Sequence, residues 1–261
     1  LRNYETPPMQ PVSDFINYEL IEYTVDNLNR SIPSLMDGQK RVQRKILYGL
    51  LRKKDRSFAK VMQLALMCAK VSGYHNGDSS ISDALIAMCA NYVGSNNLPL
   101  IEGSGSFATR DGGDKDAAAA RYPDARLALI VTKIFRAEDN CLLEATVDEC
   151  KKWEPRTYYP IINMAMINGP AAIGSGYNTF IPCHGVADVM GWIFTRLSGQ
   201  TPQDIKPWYR GYKGEIVVER VPKKKKGLHH IPDDIKQWAL SNKDVAKILY
   251  EIDSEEAVNR F

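Results

Sequence analysis

Three helical runs separated by short glycine-containing turns, and followed by glycine-rich extended chain, are what most narrows the folds open to this sequence. After Arg30-Ser31-Ile32-Pro33-Ser34-Leu35-Met36-Asp37-Gly38-Gln39-Lys40-Arg41, where proline and glycine punctuate a turn, Val42 to Leu51 resume helical spacing. Phe58 to Val71 gives a second helix, with Val61, Leu64, Ala65, Cys68 and Val71 on one side. Ser72-Gly73-Tyr74-His75-Asn76-Gly77 breaks it, and Asp78, Ser79 or Ser80 can cap a third helix running to about Val93. Helix, short turn, helix is the outline of a helix-turn-helix unit, whose second helix can lie in a DNA groove. Asn96 to Phe107 then reads as short extended segments and glycine turns, the place for the wing of a winged helix. Many helical hairpins bind nothing, so this outline constrains architecture before role.

The flanks complete the pattern. From Ser13 to Asn29, Phe15, Ile16, Leu20, Ile21, Val25 and Leu28 recur at three- and four-residue intervals, which predicts an amphipathic helix burying that face against a core. A second region begins near Cys150. Tyr158 to Ile167 suits a strand, Asn168-Gly169 a tight turn, Val186 to Leu197 a helix and Gly214 to Val221 a strand. Lys223 to Lys226 reads as a basic loop, and Pro232 to Phe261 as two short helices. Ile173 stands among small residues in Pro170-Ala171-Ala172-Ile173-Gly174-Ser175-Gly176-Tyr177. An isolated apolar side chain there is either a core anchor or a wedge of the kind that enters a base step and kinks DNA. The fold class is α+β, with 261 residues long enough for two domains, 1–150 and 151–261.

Charge and cysteine usage limit the partners. The net charge of +3 is only mildly basic, so a case for nucleic acid must rest on where the charge sits. The densest basic patch of the first half is Lys40, Arg41, Arg44, Lys45, Arg52, Lys53, Lys54 and Arg56, which a solvated helix face also explains. The five cysteines form no CxxC pair and read as reduced thiols of an intracellular protein. No apolar run approaches the roughly 18 residues of a membrane span, so no membrane partner is expected. The chain opens on Leu1 and not on methionine, which fits a fragment or a processed form.

Gly112 to Leu129 carries the chemistry. It sets Tyr122 beside Arg121, with Lys115, Arg110 and Arg126 in or next to the same segment. A phenol has an unperturbed pKa of about 10, so a nucleophilic tyrosine needs cations close by to stabilise its anion. Arginine presents a planar fork that matches two phosphate oxygens. The arrangement suits a tyrosine that attacks a phosphodiester; a helix-packing tyrosine beside a solvated arginine is the plainer alternative.

Several stretches in order resemble the DNA-binding and cleavage core of the type IIA DNA topoisomerases, nearest the eukaryotic and large-DNA-virus form. They are Ser13-Asp14-Phe15-Ile16-Asn17, Arg30-Ser31-Ile32-Pro33-Ser34 with Asp37-Gly38-Gln39-Lys40-Arg41-Val42-Gln43-Arg44-Lys45, Tyr74-His75-Asn76-Gly77, Val93-Gly94-Ser95-Asn96-Asn97-Leu98, Lys115-Asp116-Ala117-Ala118 with Arg121-Tyr122, and Ile167-Asn168-Gly169 with Ile173-Gly174-Ser175-Gly176. The resemblance implies a winged-helix domain carrying the catalytic tyrosine, followed by an α/β tower domain. Tyr122 would be the nucleophile, leaving a 5′-phosphotyrosyl bond and a free 3′-hydroxyl, and Arg121 would stabilise charge on the phosphate. Arg30, Lys40 and Arg110 fall where DNA-backbone contacts are expected, His75 and Asn76 near the cleavage site, and Ile173 at the bending wedge. Asn76 replaces the second histidine usual in the eukaryotic motif, and Pro123-Asp124-Ala125-Arg126-Leu127 is closer to the bacterial pattern.

The same resemblance implies partners beyond this sequence. No nucleotide-binding P-loop and no acidic cluster for two-metal chemistry is found in it. Mg2+ is then expected on a separate metal-binding (TOPRIM) domain, ATP on an ATPase domain, and double-stranded DNA on a homodimer, in the nucleus or cytoplasm, or a viral factory for a viral form. The chain alone is expected to bind DNA and to cleave it poorly or not at all. A non-catalytic DNA-bending module and a recombinase-like tyrosine enzyme are the competing readings.

Overall fold

The computed structural model describes residues 9–148 and 150–217. The chain enters through a nearly continuous helix: α1 (Val12–Asp14), a π-helical turn (Phe15–Glu19) and α2 (Leu20–Ser31), which stops where Ile32 turns extended before Pro33. None of its residues is buried, and Phe15, Ile16, Leu20, Ile21 and Val25 all stand exposed. The expected burial of this face is therefore not found among the described residues. Periodicity reports that a helix has an apolar side, not what lies against it.

Six of the elements that follow form a winged helix. They are α3 (Arg41–Arg52), β1 (Ala59–Lys60), α4 (Val61–Ser72), α5 (Asp78–Cys89), β2 (Ile101–Ser104) and β3 (Asp124–Leu127). The strands pair antiparallel in the order β1-β3-β2, with Ala59 opposite Ala125 and Ile101 opposite Leu127. Ile46, Leu47 and Leu50 of α3, Val61, Leu64 and Cys68 of α4, and Ile81, Leu85 and Ile86 of α5 meet Ile101, Ala125 and Leu127 in one core. Phe58 precedes a strand and not the first turn of a helix, because Ala59 and Lys60 are claimed by β3. That non-local pairing overrides a helical pattern that is otherwise sound. At its other end α5 stops at Cys89, where Ala90 turns extended, short of the expected Val93.

Two buried ion pairs join this unit to the chain beyond β3. Asp37, fully buried, receives Arg44 Nε at 2.7 Å and Nη2 at 3.1 Å, the Gln39 N–H at 2.9 Å and the Tyr158 N–H at 2.9 Å. Its carboxylate is thus satisfied by charge-assisted bonds from three segments, as a buried charge requires. Lys45 Nζ donates to Glu154 Oε2 at 2.7 Å and to the Ser72 carbonyl at 2.5 Å.

After β3 come α6 (Val131–Ile134), a 3₁₀ turn (Ala137–Leu142), and the hairpin of β4 (Ala145–Asp148) and β5 (Lys151–Pro155). Then follow α7 (Met164–Asn168), the hairpin of β6 (Ala171–Ile173) and β7 (Asn178–Phe180), and α8 (Val186–Leu197). The strand expected over Tyr158 to Ile167 is instead a loop leading into α7. Asn163 Oδ1 caps that helix by accepting from the Met166 N–H at 3.1 Å, and Gly169 closes it in the left-handed region. A short apolar run does not by itself distinguish strand from helix. The helix expected over Val186 to Leu197 is found with those bounds. Residues 214–217 form no strand, and the basic loop and the final helices lie outside the described residues. The described residues up to Ile216 belong to one compact unit, and 150/151 falls in the turn between β4 and β5.

Candidate functional site

Tyr122 sits on the wing itself, near the end of the long connection between β2 and β3, and not after the wing as its sequence position suggested. That connection is folded back on itself. Ala118 N–H donates to the Ser106 carbonyl at 3.1 Å, and Tyr122 N–H to the Ala119 carbonyl at 2.9 Å. The winged-helix framework grips the chain on both sides of the tyrosine. Met62 N–H donates to the Ala120 carbonyl at 3.0 Å and Val61 N–H to the Pro123 carbonyl at 3.1 Å. Lys60 Nζ reaches across from β1 to the Tyr122 carbonyl and to Asp124 Oδ2, each at 2.8 Å. With its main chain fixed, the Tyr122 side chain is 62% exposed. That exposure removes the alternative of a helix-packing tyrosine.

Arg121 is the cation held at the phenol. Its guanidinium carbon lies 4.9 Å from the centroid of the Tyr122 ring, within cation–π range, and both side chains face solvent. The other cations of the segment are placed differently. Arg126 is bound to Glu102, with Nε at 2.8 Å and Nη2 at 2.7 Å, and stacks over Phe58. Arg110 is exposed and touches the Val93 carbonyl through Nη1 at 3.3 Å. Lys115 is exposed, with no ion pair among the described residues.

The structure brings Arg30, His75 and Asn76 together. They line a cleft of about 520 Å³ whose walls also carry Arg41 and Lys45. His75 and Asn76 stand exposed just past α4, whose end is pinned by the bond from Lys45 to the Ser72 carbonyl. Gly73 makes that turn possible: its φ is +57°, and a Cβ would come 2.7 Å from the Trp153 ring. Lys40 lies elsewhere, in a groove of about 370 Å³ shared with Gln43, Asn96 and Asn168. Its backbone N–H is taken by Gln43 Oε1 at 2.8 Å. Three cations, Arg30, Arg41 and Lys45, share the His75 cleft with the carboxylates of Asp26 and Asp148; Arg41 pairs with Asp26 and Lys45 with Glu154, which leaves Arg30 as the cation with no ion pair among the described residues.

Ile173 ends β6, opposite Asn178, and is 84% exposed. The core-anchor alternative is thereby excluded; its neighbour Ala172 takes the buried position. Three groups were missed in the sequence: Lys60 behind the tyrosine, Asp37 with Arg44, and Lys45 with Glu154. Only Asp37, Arg44 and Lys45 carried a signal there, as members of the Asp37-to-Lys45 stretch. Among the described residues no group of three or more His, Cys, Asp or Glu is placed to hold a metal ion. The described residues therefore do not fit a two-metal site. Burial pushes the thiols of Cys68 and Cys89 up to about 12, which makes them poor nucleophiles and leaves them in the core. No helix among the described residues is long and apolar enough to cross a membrane.

The family described as DNA gyrase/topoisomerase IV, in its A-type chain, matches residues 30–255. DNA topoisomerase 2 of Candida albicans is 41% identical over 206 residues, covering 79% of this chain and 14% of the relative. The enzyme of the same name from Arabidopsis thaliana is 40% identical, covering 80% and 14%. Among solved structures, the Plasmodium falciparum topoisomerase II DNA-binding, cleavage and re-ligation domain is similar with a TM-score of 0.75 and 40% identity. It covers 78% of this chain and 28% of that one. The chain thus spans a minor part of the length of these relatives.

Proposed function

The chain belongs to the DNA gyrase/topoisomerase IV family, and from that premise we propose that it is the DNA-binding and cleavage part of a type IIA topoisomerase. The observation that carries this reading is Tyr122, 62% exposed on a wing whose main chain is fixed at both sides, with Arg121 against its ring. The Tyr122 phenol oxygen bonds to the phosphorus of a backbone phosphodiester as the bond from phosphorus to the 3′ oxygen breaks. The phenol loses its proton, the 3′ oxygen gains one, and the DNA is held as a 5′-phosphotyrosyl ester until the reverse reaction reseals it. Arg121 offsets the charge that grows on the phosphate oxygens, where a positioned cation has its largest effect.

The remaining residues hold and shape the duplex. Arg30 and His75, with Asn76, take backbone phosphates at the cleft they line, while Lys40 and Arg110 do so elsewhere on the surface. Asn76 donates or accepts a hydrogen bond but carries no proton that titrates near neutrality. Ile173 enters a base step and bends the DNA, a form of readout by deformability that gives only loose sequence preference. The winged helix, within residues 1–150, presents the tyrosine, and the tower is drawn from the chain that follows it. Mg2+, held by a metal-binding (TOPRIM) domain of the same enzyme, would supply charge neutralisation at the phosphate, and ATP would be bound by a separate ATPase domain, in a homodimer on double-stranded DNA in the nucleus, the cytoplasm or a viral factory.

The test is a Tyr122→Phe variant of the full-length protein with magnesium and end-labelled duplex. It should bind DNA as the parent does and form no covalent adduct. An adduct that persists would remove Tyr122 from the chemistry, and adducts on 3′-phosphates in the parent would favour the recombinase reading instead.

A further inference from the structure

An apolar wedge bends DNA only if the protein behind it resists being pushed back. The β6–β7 hairpin that presents Ile173 has three residues in each strand, closed by the Gly174 N–H donating to the Tyr177 carbonyl at 2.8 Å. A two-stranded ribbon so short is marginal on its own. What it leans on is α2. Asn27 Oδ1 accepts two hydrogen bonds from Ser175, the backbone N–H at 3.0 Å and the hydroxyl at 3.1 Å. Because a backbone N–H only donates, the Asn27 atom facing it must be the oxygen. Gly174, the residue after the wedge, lies so close to the helix that a Cβ would stand 2.8 Å from Leu28 Cδ2.

We propose that Asn27 is a positioning residue for the Ile173 wedge, fixing the hairpin tip to α2 through Ser175. The proposal rests on the reading of Ile173 as the bending residue. Three residues further along the same helix, Arg30 lines the cleft that holds His75. One rigid element therefore spans both features, and the position of the wedge relative to that cleft is set by α2. Asn27 itself gives the duplex no charge. Its loss should change how far the DNA bends and leave the electrostatic part of binding intact.

The experiment measures bending by fluorescence transfer between the ends of a duplex saturated with full-length protein, together with duplex affinity across salt concentrations and thermal melting. In Asn27→Ala the ratio of bent to straight complexes should fall on the order of fivefold, as expected when two neutral hydrogen bonds are lost. The salt slope should not move. Asn27→Asp should bend DNA like the parent, since a carboxylate oxygen accepts both bonds, and Ser175→Ala, which keeps the N–H bond, should fall between. Equal loss in Asn27→Asp and Asn27→Ala, or unchanged bending in Asn27→Ala, overturns the brace. Should melting show that Asn27→Ala does not fold, Ser175→Ala decides alone, and parental bending there overturns it. Ile173→Ala separates the two levels. If it bends DNA normally the wedge reading falls; if it loses bending while Asn27→Ala retains it, only the brace falls.

Discussion

At the scale of single residues, the tyrosine and its neighbour were legible because chemistry demands a cation beside a phenol, and Arg121 is adjacent in sequence. Lys60 was not legible. It lies 62 residues from Tyr122 and reaches it only because β1 pairs with β3, a contact that no local pattern encodes. Its bonds to the Tyr122 carbonyl and to Asp124 hold the main chain of the nucleophile. Loss of that hold misplaces the phenol, an error that costs on the order of a hundredfold in rate for about 1 Å. Lys60→Ala is therefore expected to slow adduct formation in single-turnover cleavage by the full-length protein; an unchanged rate would leave Lys60 a surface ion pair. Asp37 is structural by the same kind of reasoning. Asp37→Ala leaves Arg44 buried without its partner, a change that costs about 3–5 kcal/mol. Urea unfolding should show that loss.

Elements were legible in proportion to how local their causes are. The bounds of α3 and α8 follow from periodicity and flanking breakers, and both are found within one residue of expectation. Strands of two to five residues have too little pattern of their own, so β1 was absorbed into a helix, while the Tyr158 to Ile167 strand was read where capping builds α7. The wing was placed too early for a related reason: nineteen residues, 105 to 123, intervene between its strands, and nothing local announces the return to β3. The groove holding Lys40 shows what an element contributes to binding. Lys40 precedes the first turn of α3 with no ion pair among the described residues, so its ammonium is available to a phosphate. Lys40→Ala should weaken all duplex sequences alike and reduce the slope of log affinity against log salt by about one unit. Filter binding across salt concentrations measures this, and an unchanged slope would place Lys40 off the DNA.

For the whole molecule, the core ties stability to pH. Cys68 of α4 and Cys89 of α5 belong to the cluster that α3, α4 and α5 share with β2 and β3, and burial raises both thiols from an ordinary 9.0 to about 12. Burial also pushes the Tyr158 phenol up from its ordinary 10.0. In each case the neutral form is the one the fold accepts, whereas the unfolded chain ionises at the ordinary value. The unfolded state then binds fewer protons than the folded state between about pH 9 and 12, and stability falls as pH rises through that window. It is fully present below pH 9. Thermal melting should therefore be flat with respect to these groups near neutrality and drop steeply above that point. Cys68→Ala removes one ionising group while costing packing at all pH values. Its melting temperature should start lower and decline less steeply in alkali than that of the parent, and parallel curves would show that Cys68 ionisation does not drive alkaline unfolding.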